Sequence, residues 1–117
     1  MPIILHDDVE QAADFLRPMY ALYFGGMGAR GQNFHHDVAV RLGYEAEAKT
    51  VQDLYLEGKK DEASAAIPTA LIEDLALIGR EDKIRDGLDA WRESIATTLL
   101  VAGDAAQLRR IAELVHA

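Results

Sequence analysis

No cysteine occurs among the 117 residues, so disulfides, thiolate metal sites and cysteine nucleophiles are all ruled out. Serine is nearly as scarce, with only Ser64 and Ser94 present. Both fall in predicted helices, and neither stands in the G-x-S-x-G turn that exposes a hydrolytic serine. Basic residues are outnumbered by acidic ones, 12 to 20, for a formal charge of −8. Phosphate backbones require a basic face, so no nucleic-acid partner is expected. The doublets Lys59-Lys60 and Arg109-Arg110 are short, have acidic neighbours and read as solvated helix faces. No apolar run approaches the ~20 residues that a membrane helix needs, so no membrane partner is expected either. The opening MPIILHDDVEQ has an apolar patch too short for a signal peptide, with no basic residue before it. The expectation is a soluble, cytoplasmic chain.

What is present is ordinary globular composition: 50% apolar and 27% charged residues, in a length suited to one domain with a real core. Pro2 to Leu5 reads as a short buried strand or apolar leader, and Asp7 and Asp8 are good caps for a helix over Val9 to Leu16. Arg17-Pro18 is expected to interrupt that helix, because proline disfavours helical geometry in the residue before it. MYALYF, 19–24, suits a buried strand or a buried helical turn, and periodicity cannot decide between them.

A short helix is expected from Phe34 to Leu42, with Phe34, Val38 and Leu42 along one face and Gly43 as its stop. Glu45 to Glu57 forms the next, striped by Ala48, Val51 and Tyr55. KKDEASAAI is a short helix ending at Pro68, and TALIEDLALI is another whose last residues, Leu75 to Ile78, turn extended. The clearest periodicity is Ile84, Leu88, Trp91 and Ile95 along one helix face. TTLLV, 97–101, has the composition of a buried strand. Asp104 with Gln107 predicts a capping box for a last helix packed through Leu108, Ile111 and Val115.

The stretch YFGGMGARGQNFHHD, 23–37, carries the candidate chemistry. Gly26, Gly28 and Gly31 match G-x-G-x-x-G, the turn that admits a dinucleotide pyrophosphate. That site also needs a preceding strand, a following helix and an acid at the end of the next strand, ~20 residues on. Asp53 lies near that distance but inside a predicted helix, so a glycine-rich interhelical loop is the favoured reading. Arg30 is unusual in such a turn, although it suits a phosphate directly. His35 and His36 are adjacent, hence about 100° apart on a helix, and their i+4 positions are Ala39 and Val40. A solvent-facing pair without metal is expected. Carboxylates are plentiful, but no catalytic residue can be named from spacing alone.

Three longer phrases carry a resemblance: ALYFGGMGARGQNFHHDVAVRLGYEAEA, VQDLYLEGKKDEASAAIPTALIEDLALIG and DKIRDGLDAWRESIATTLLVAGD. Together they resemble the C-terminal part of luciferase-like flavin or deazaflavin F420-dependent oxidoreductases and monooxygenases, over about Asp7 to Val115. The most specific pieces are ALYFGGMG with Asn33-Phe34, DLYLEG at 53–58 and the run from Leu77 to Val101. The resemblance implies the C-terminal fragment of a (β/α)8 barrel, mainly α with one or two short parallel strands.

On that reading residues 1–117 form one partial domain. Residues 7–74 are a helical excursion carrying the Gly-rich loop 25–31, and 79–117 are a terminal helix-strand-helix. The family commonly opens that helix with G-x-P-E, and here the turn reads Gly79-Arg80-Glu81-Asp82. A complete enzyme would move hydride between F420 or FMN and an organic substrate. Gly26, Gly28, Arg30 and Asn33 are the implied cofactor- or substrate-binding residues. A full barrel takes ~250 residues, so the chain alone is expected to bind no cofactor and to need the missing N-terminal barrel portion or a homo-oligomer partner. The alternative expectation is a small, mainly helical interaction or dimerisation module without catalysis.

Overall fold

The computed structural model describes residues 1–116. The chain divides into two compact units, one joining Met1–Ala12 to the segment from Leu75 onward, the other formed by Ala13–Asp74.

In the first unit, strand β1 (Ile3–Leu5) pairs in parallel with β2 (Leu77–Gly79), in the register Ile3 to Leu77, Ile4 to Ile78 and Leu5 to Gly79. The Leu77 N–H donates to the Pro2 carbonyl (3.0 Å) and the His6 N–H to that of Gly79 (2.9 Å), closing both ends of the ladder. Helix α6 (Glu81–Arg92) and helix α7 (Ala105–Val115) belong to the same unit. Its core is Ile3, Ile84, Leu88, Ile111 and Leu114, with Met1, Leu5, Leu77, Leu99 and Val101 packed against it. The missing proline of the Gly79–Asp82 turn is accommodated: Gly79 takes φ +121° and Arg80 is the extended N-cap of α6. Only glycine adopts that φ without strain.

Three expectations change in this unit. TTLLV forms no strand among the described residues. Leu99 and Val101 do pack on the core, and the Met1 amine donates to the Leu100 carbonyl, but no ladder to β1 forms among the described residues. β-propensity expresses fit to a neighbouring strand, and without a ladder it does not produce one. The α6 stripe is also cut short, because the helix ends at Arg92 and leaves Trp91 partly exposed and Ile95 fully exposed. On α7 the capping box forms as expected, Gln107 N–H to Asp104 Oδ1 at 2.9 Å and Asp104 N–H to Gln107 Oε1 at 3.2 Å. Ile111 and Leu114 are buried there, whereas Leu108 and Val115, expected to pack with Ile111, are exposed.

Helix α1 (Val9–Ala21) starts on Asp8, whose Oδ1 accepts from the N–H groups of Glu10 (2.9 Å) and Gln11 (3.3 Å). It runs through Pro18 without breaking, which corrects the expected interruption. Two things override the local preference. Ala12, Ala13, Leu16, Tyr20 and Ala21 are buried on both sides of the proline. Arg17, the residue before it, is pinned by donating Nε to the Ile67 carbonyl (3.0 Å) and a guanidinium N–H to Thr69 Oγ1 (2.6 Å). MYALYF is therefore helical, and it passes into a π-helical turn at Leu22–Gly26. Helices α2 (Phe34–Arg41), α3 (Glu45–Leu56), α4 (Lys60–Ala65) and α5 (Thr69–Leu75) follow close to the expected positions. On α2 the orientation is reversed: Ala39 is buried, whereas Phe34 is 66% and Leu42 42% exposed.

Candidate functional site

The segment 22–36 is built outward from the π-helical turn. Gly25 and Gly26 lie inside this turn rather than in a loop, so the Gly-rich loop begins only after them. Both are glycine because α3 is too close for a side chain. A Cβ on Gly25 would stand 2.4 Å from Tyr55 Cβ, and one on Gly26 2.6 Å from Tyr55 Cε1. At Gly28 a Cβ would meet the Gln32 carbonyl oxygen at 2.5 Å. Gly31, at φ +78° with open space around it, reverses the chain back toward α2.

Asn33 ties the returning chain down. Its Oδ1 accepts from the His36 N–H (3.0 Å) as the N-cap of α2, and its Nδ2 donates to the carbonyls of Tyr23 (2.9 Å) and Phe24 (3.0 Å). The side chain is fully buried. A π-helical turn leaves carbonyls poorly served by its own ladder, and one amide satisfies two of them while capping the next helix.

Rings extend the same brace. Phe24 stacks on Tyr20 (5.7 Å between centroids), Tyr20 meets Tyr23 edge-on (6.4 Å), Tyr23 stacks on His35 (4.8 Å), and His35 meets Phe34 edge-on (5.6 Å). This ladder leads from buried Phe24 to exposed Phe34. Burial pushes the Tyr20 hydroxyl up to about 12, with the nearby Tyr23 adding to the rise. The histidine pair is therefore not solvent-facing as expected: both imidazoles are half-buried, one in the ring stack. His36 Nδ1 lies 3.7 Å from Asp37 Oδ1, and its Nε2 is buried without a partner, as is Nε2 of Gln52 on α3. No group of three or more histidine, aspartate or glutamate side chains is placed to hold a metal among the described residues.

Arg30, at the outer bend, pairs with Asp53 Oδ1, and Lys49 donates to Asp53 Oδ2 at 2.6 Å. Lys49 first and Arg30 second hold the Asp53 carboxyl below the usual carboxylate range. The acid at the fingerprint-like distance is thus a real partner of the glycine segment, but through an ion pair on a helix. Both cations keep much of their side chains in solvent, so an incoming anion can reach them.

Of the four residues anticipated for ligand binding, Gly26 and Gly28 face atoms of the chain itself, and Asn33 has its acceptor and both donors engaged. Arg30 alone presents a charged group outward. Among the described residues helix α1 and the π-helical turn, not a strand, lead into the glycines, so the dinucleotide turn lacks its first element as well as its third. The residues present therefore do not make a cradle for a pyrophosphate or a flavin-sized group by themselves. Sequence reasoning missed Tyr55 as the residue that fills the space over the glycines. It also missed Asn33 as a staple, although asparagine directly before a helical apolar run is an N-cap signal. A separate cavity of about 250 Å³ lies within the first unit, lined by Ile3, Leu88, Trp91, Arg92, Leu99 and Ile111 among others. It is mostly apolar and smaller than the ~300–1,000 Å³ typical of ligand pockets.

The residues that match known proteins include this segment. A family model described as luciferase-like monooxygenase matches residues 1–98, and the chain belongs to that family. Among curated relatives, it is 40% identical over 114 residues to a protein of Mycobacterium tuberculosis (strain ATCC 25618 / H37Rv) that bears the name of a coenzyme F420-dependent oxidoreductase. That match takes in 97% of this chain and 33% of the relative, so the chain spans about a third of the relative's length. No solved structure matches the chain significantly. No helix among the described residues is long and apolar enough to cross a membrane.

Proposed function

We propose that the chain is the C-terminal part of a luciferase-like oxidoreductase whose complete form moves hydride between deazaflavin F420 (or a flavin) and an organic substrate. The observation that carries this reading is 40% identity, across 97% of the chain, to a relative named for F420 dependence. Within that enzyme the segment 25–34 forms one wall near the bound ligands. Gly26, Gly28 and Asn33 shape the wall, and Arg30 meets an anionic group of cofactor or substrate in exchange for Asp53. The remaining walls belong to strands outside this chain, because barrel sites are assembled from loops at the carboxyl ends of several strands. Two three-residue strands and a 250 Å³ cavity are too little to enclose a deazaflavin, which supports the view that this chain is inactive alone.

Two measurements test the proposal. Titrating the isolated chain with F420, followed by absorbance, is expected to give no stoichiometric binding; tight binding overturns the claim of an incomplete site. A chimera in which the chain replaces the matched third of the mycobacterial relative is expected to fold and bind F420. Arg30→Ala is expected to weaken cofactor or substrate binding in that chimera. A folded chimera that ignores F420 sinks the assignment.

A further inference from the structure

Between the π-helical turn and α2 the chain runs out and back from Met27 to Gln32, with Arg30 at its bend. The loop is held at two levels. At its tip Arg30 pairs with Asp53 on α3. At its base Asn33 joins the chain that enters to the chain that leaves: Nδ2 donates to the carbonyls of Tyr23 (2.9 Å) and Phe24 (3.0 Å), and Oδ1 accepts from the His36 N–H (3.0 Å). Relative strength decides which tie places the other. An ion pair between solvent-screened side chains contributes less than it costs to fix the backbone of one loop residue. With Arg30 55% and Asp53 30% exposed, their pair cannot order the loop.

Asn33 is 1% exposed, so breaking its bonds leaves buried polar groups unpaired, which is far costlier than parting an exposed pair. The Tyr23–His35 stack spans the same two ends, but through side-chain torsions that can follow a shift of the backbone. We infer that Asn33 is a positioning residue for Arg30: the buried amide fixes both ends of the loop and so sets where the guanidinium meets an anion, whether the Asp53 carboxylate or a ligand that replaces it. Its donors and its cap acceptor are engaged with the backbone, so it acts on Arg30 through the loop and not by contact. The ligand half of the inference rests on the role proposed above for Arg30. The Asp53 half belongs to this chain alone.

Asp53 reports the geometry, because Lys49 from its own helix and Arg30 from the loop are the charges that hold its carboxyl low. Carbon-detected NMR titration of the 117-residue chain reads the coupling as a cycle of parent, Arg30→Ala, Asn33→Ala and the double variant. Asn33→Ala is expected to raise the Asp53 pKa toward that in Arg30→Ala, with the Lys49 contribution left in place. The double variant is expected to titrate with Arg30→Ala and no higher. Asn33→Ser keeps an acceptor for the cap but has no amide to reach the two carbonyls. It is expected to shift Asp53 in the same way with α2 still capped, and it carries the test if Asn33→Ala does not fold.

Asp104→Ala removes a helix cap in the other unit and is expected to leave Asp53 unmoved, which separates positioning from lost stability. An Asp53 titration indifferent to Asn33→Ser, or a shift that adds in full to that of Arg30→Ala, overturns the inference. In the chimera with the mycobacterial relative, Asn33→Ser is expected to weaken F420 binding to within about twofold of the loss caused by Arg30→Ala. A chimera that loses affinity with Arg30→Ala but not with Asn33→Ser overturns the ligand half. One indifferent to Arg30→Ala removes F420 as the anion and refutes that half together with the role proposed for Arg30, while the Asp53 titration still decides the half that belongs to this chain.

Discussion

Alanine at Gly25 tests whether the glycines serve packing or merely sit in a helical turn. On propensity alone, glycine to alanine in a helix gains about 0.8–1.0 kcal/mol. Packing opposes this: the new Cβ would stand 2.4 Å from Tyr55 Cβ and 2.8 Å from its Cγ. Carbon–carbon contacts relax only near ~3.5 Å, so the turn and α3 must separate by about 1 Å. Overpacking of that kind costs about 1–3 kcal/mol, and Gly25 is buried, so after the propensity gain Gly25→Ala should destabilise by up to about 2 kcal/mol net. For a chain of 117 residues the unfolding entropy converts this to a Tm lower by up to about 8 °C, read by far-UV circular dichroism.

The companion variant discriminates further. Gly26→Ala meets the ring of Tyr55, at Cε1 (2.6 Å) and Cζ (3.2 Å), rather than its Cβ. In a Tyr55→Ala background the Gly26→Ala penalty should fall to what the flexible Leu22 Cδ1, 3.1 Å away, leaves, whereas the Gly25→Ala penalty should persist, because alanine retains the Cβ. A double-mutant cycle measures both couplings. A higher Tm for Gly25→Ala, or equal rescue of both by Tyr55→Ala, would refute the packing account.

Three further outcomes are expected. Asn33→Ala should cost about 2–3 kcal/mol in urea unfolding, from a lost N-cap together with two orphaned carbonyls, and Asn33→Asp should cost at least as much, because the cap acceptor survives but a buried carboxylate oxygen replaces the donor that served both carbonyls. Asp53 titrates low in the folded chain, so its stabilising contribution holds above the unfolded carboxylate pKa and fades as pH falls through the depressed one; by carbon-detected NMR, Lys49→Ala should raise the Asp53 pKa more than Arg30→Ala does. Gln52→Met should leave stability unchanged or raise it by up to about 1 kcal/mol in thermal unfolding, since it removes a buried amide nitrogen that lacks a partner.

Much of the architecture is legible in the residues, and the failures share a cause. Asp8, the Asp104–Gln107 box and the glycines at 43, 58 and 79 mark element ends through local chemistry, and the structure follows them. The misses are positions where partners distant in sequence decide. Pro18 stays helical because Arg17 is held by Ile67 and Thr69 some 50 residues on. TTLLV has strand composition and no ladder, because a strand is a property of a pair. The periodic stripe of α2 is real, but periodicity reports a face without saying whether that face turns inward.

The same distinction sharpens the reading of the glycine run. A missing side chain admits something close by, and the sequence cannot say whether this is a ligand's phosphate or the protein itself. Here Tyr55 occupies the space over Gly25 and Gly26, and the Gln32 carbonyl that over Gly28. The glycines are thus already used in letting a π-helical turn and α3 approach each other. Any ligand chemistry left to the segment falls to its outward cation, Arg30, whose present partner Asp53 is exposed enough to be displaced. An anion that competes with Asp53 would therefore be felt in two places at once, at the bend and at the α3 ion pair with Lys49. If the proposed role of Arg30 holds, ligand binding should raise the depressed Asp53 pKa, and an unchanged Asp53 titration in the presence of an anionic ligand would count against that role.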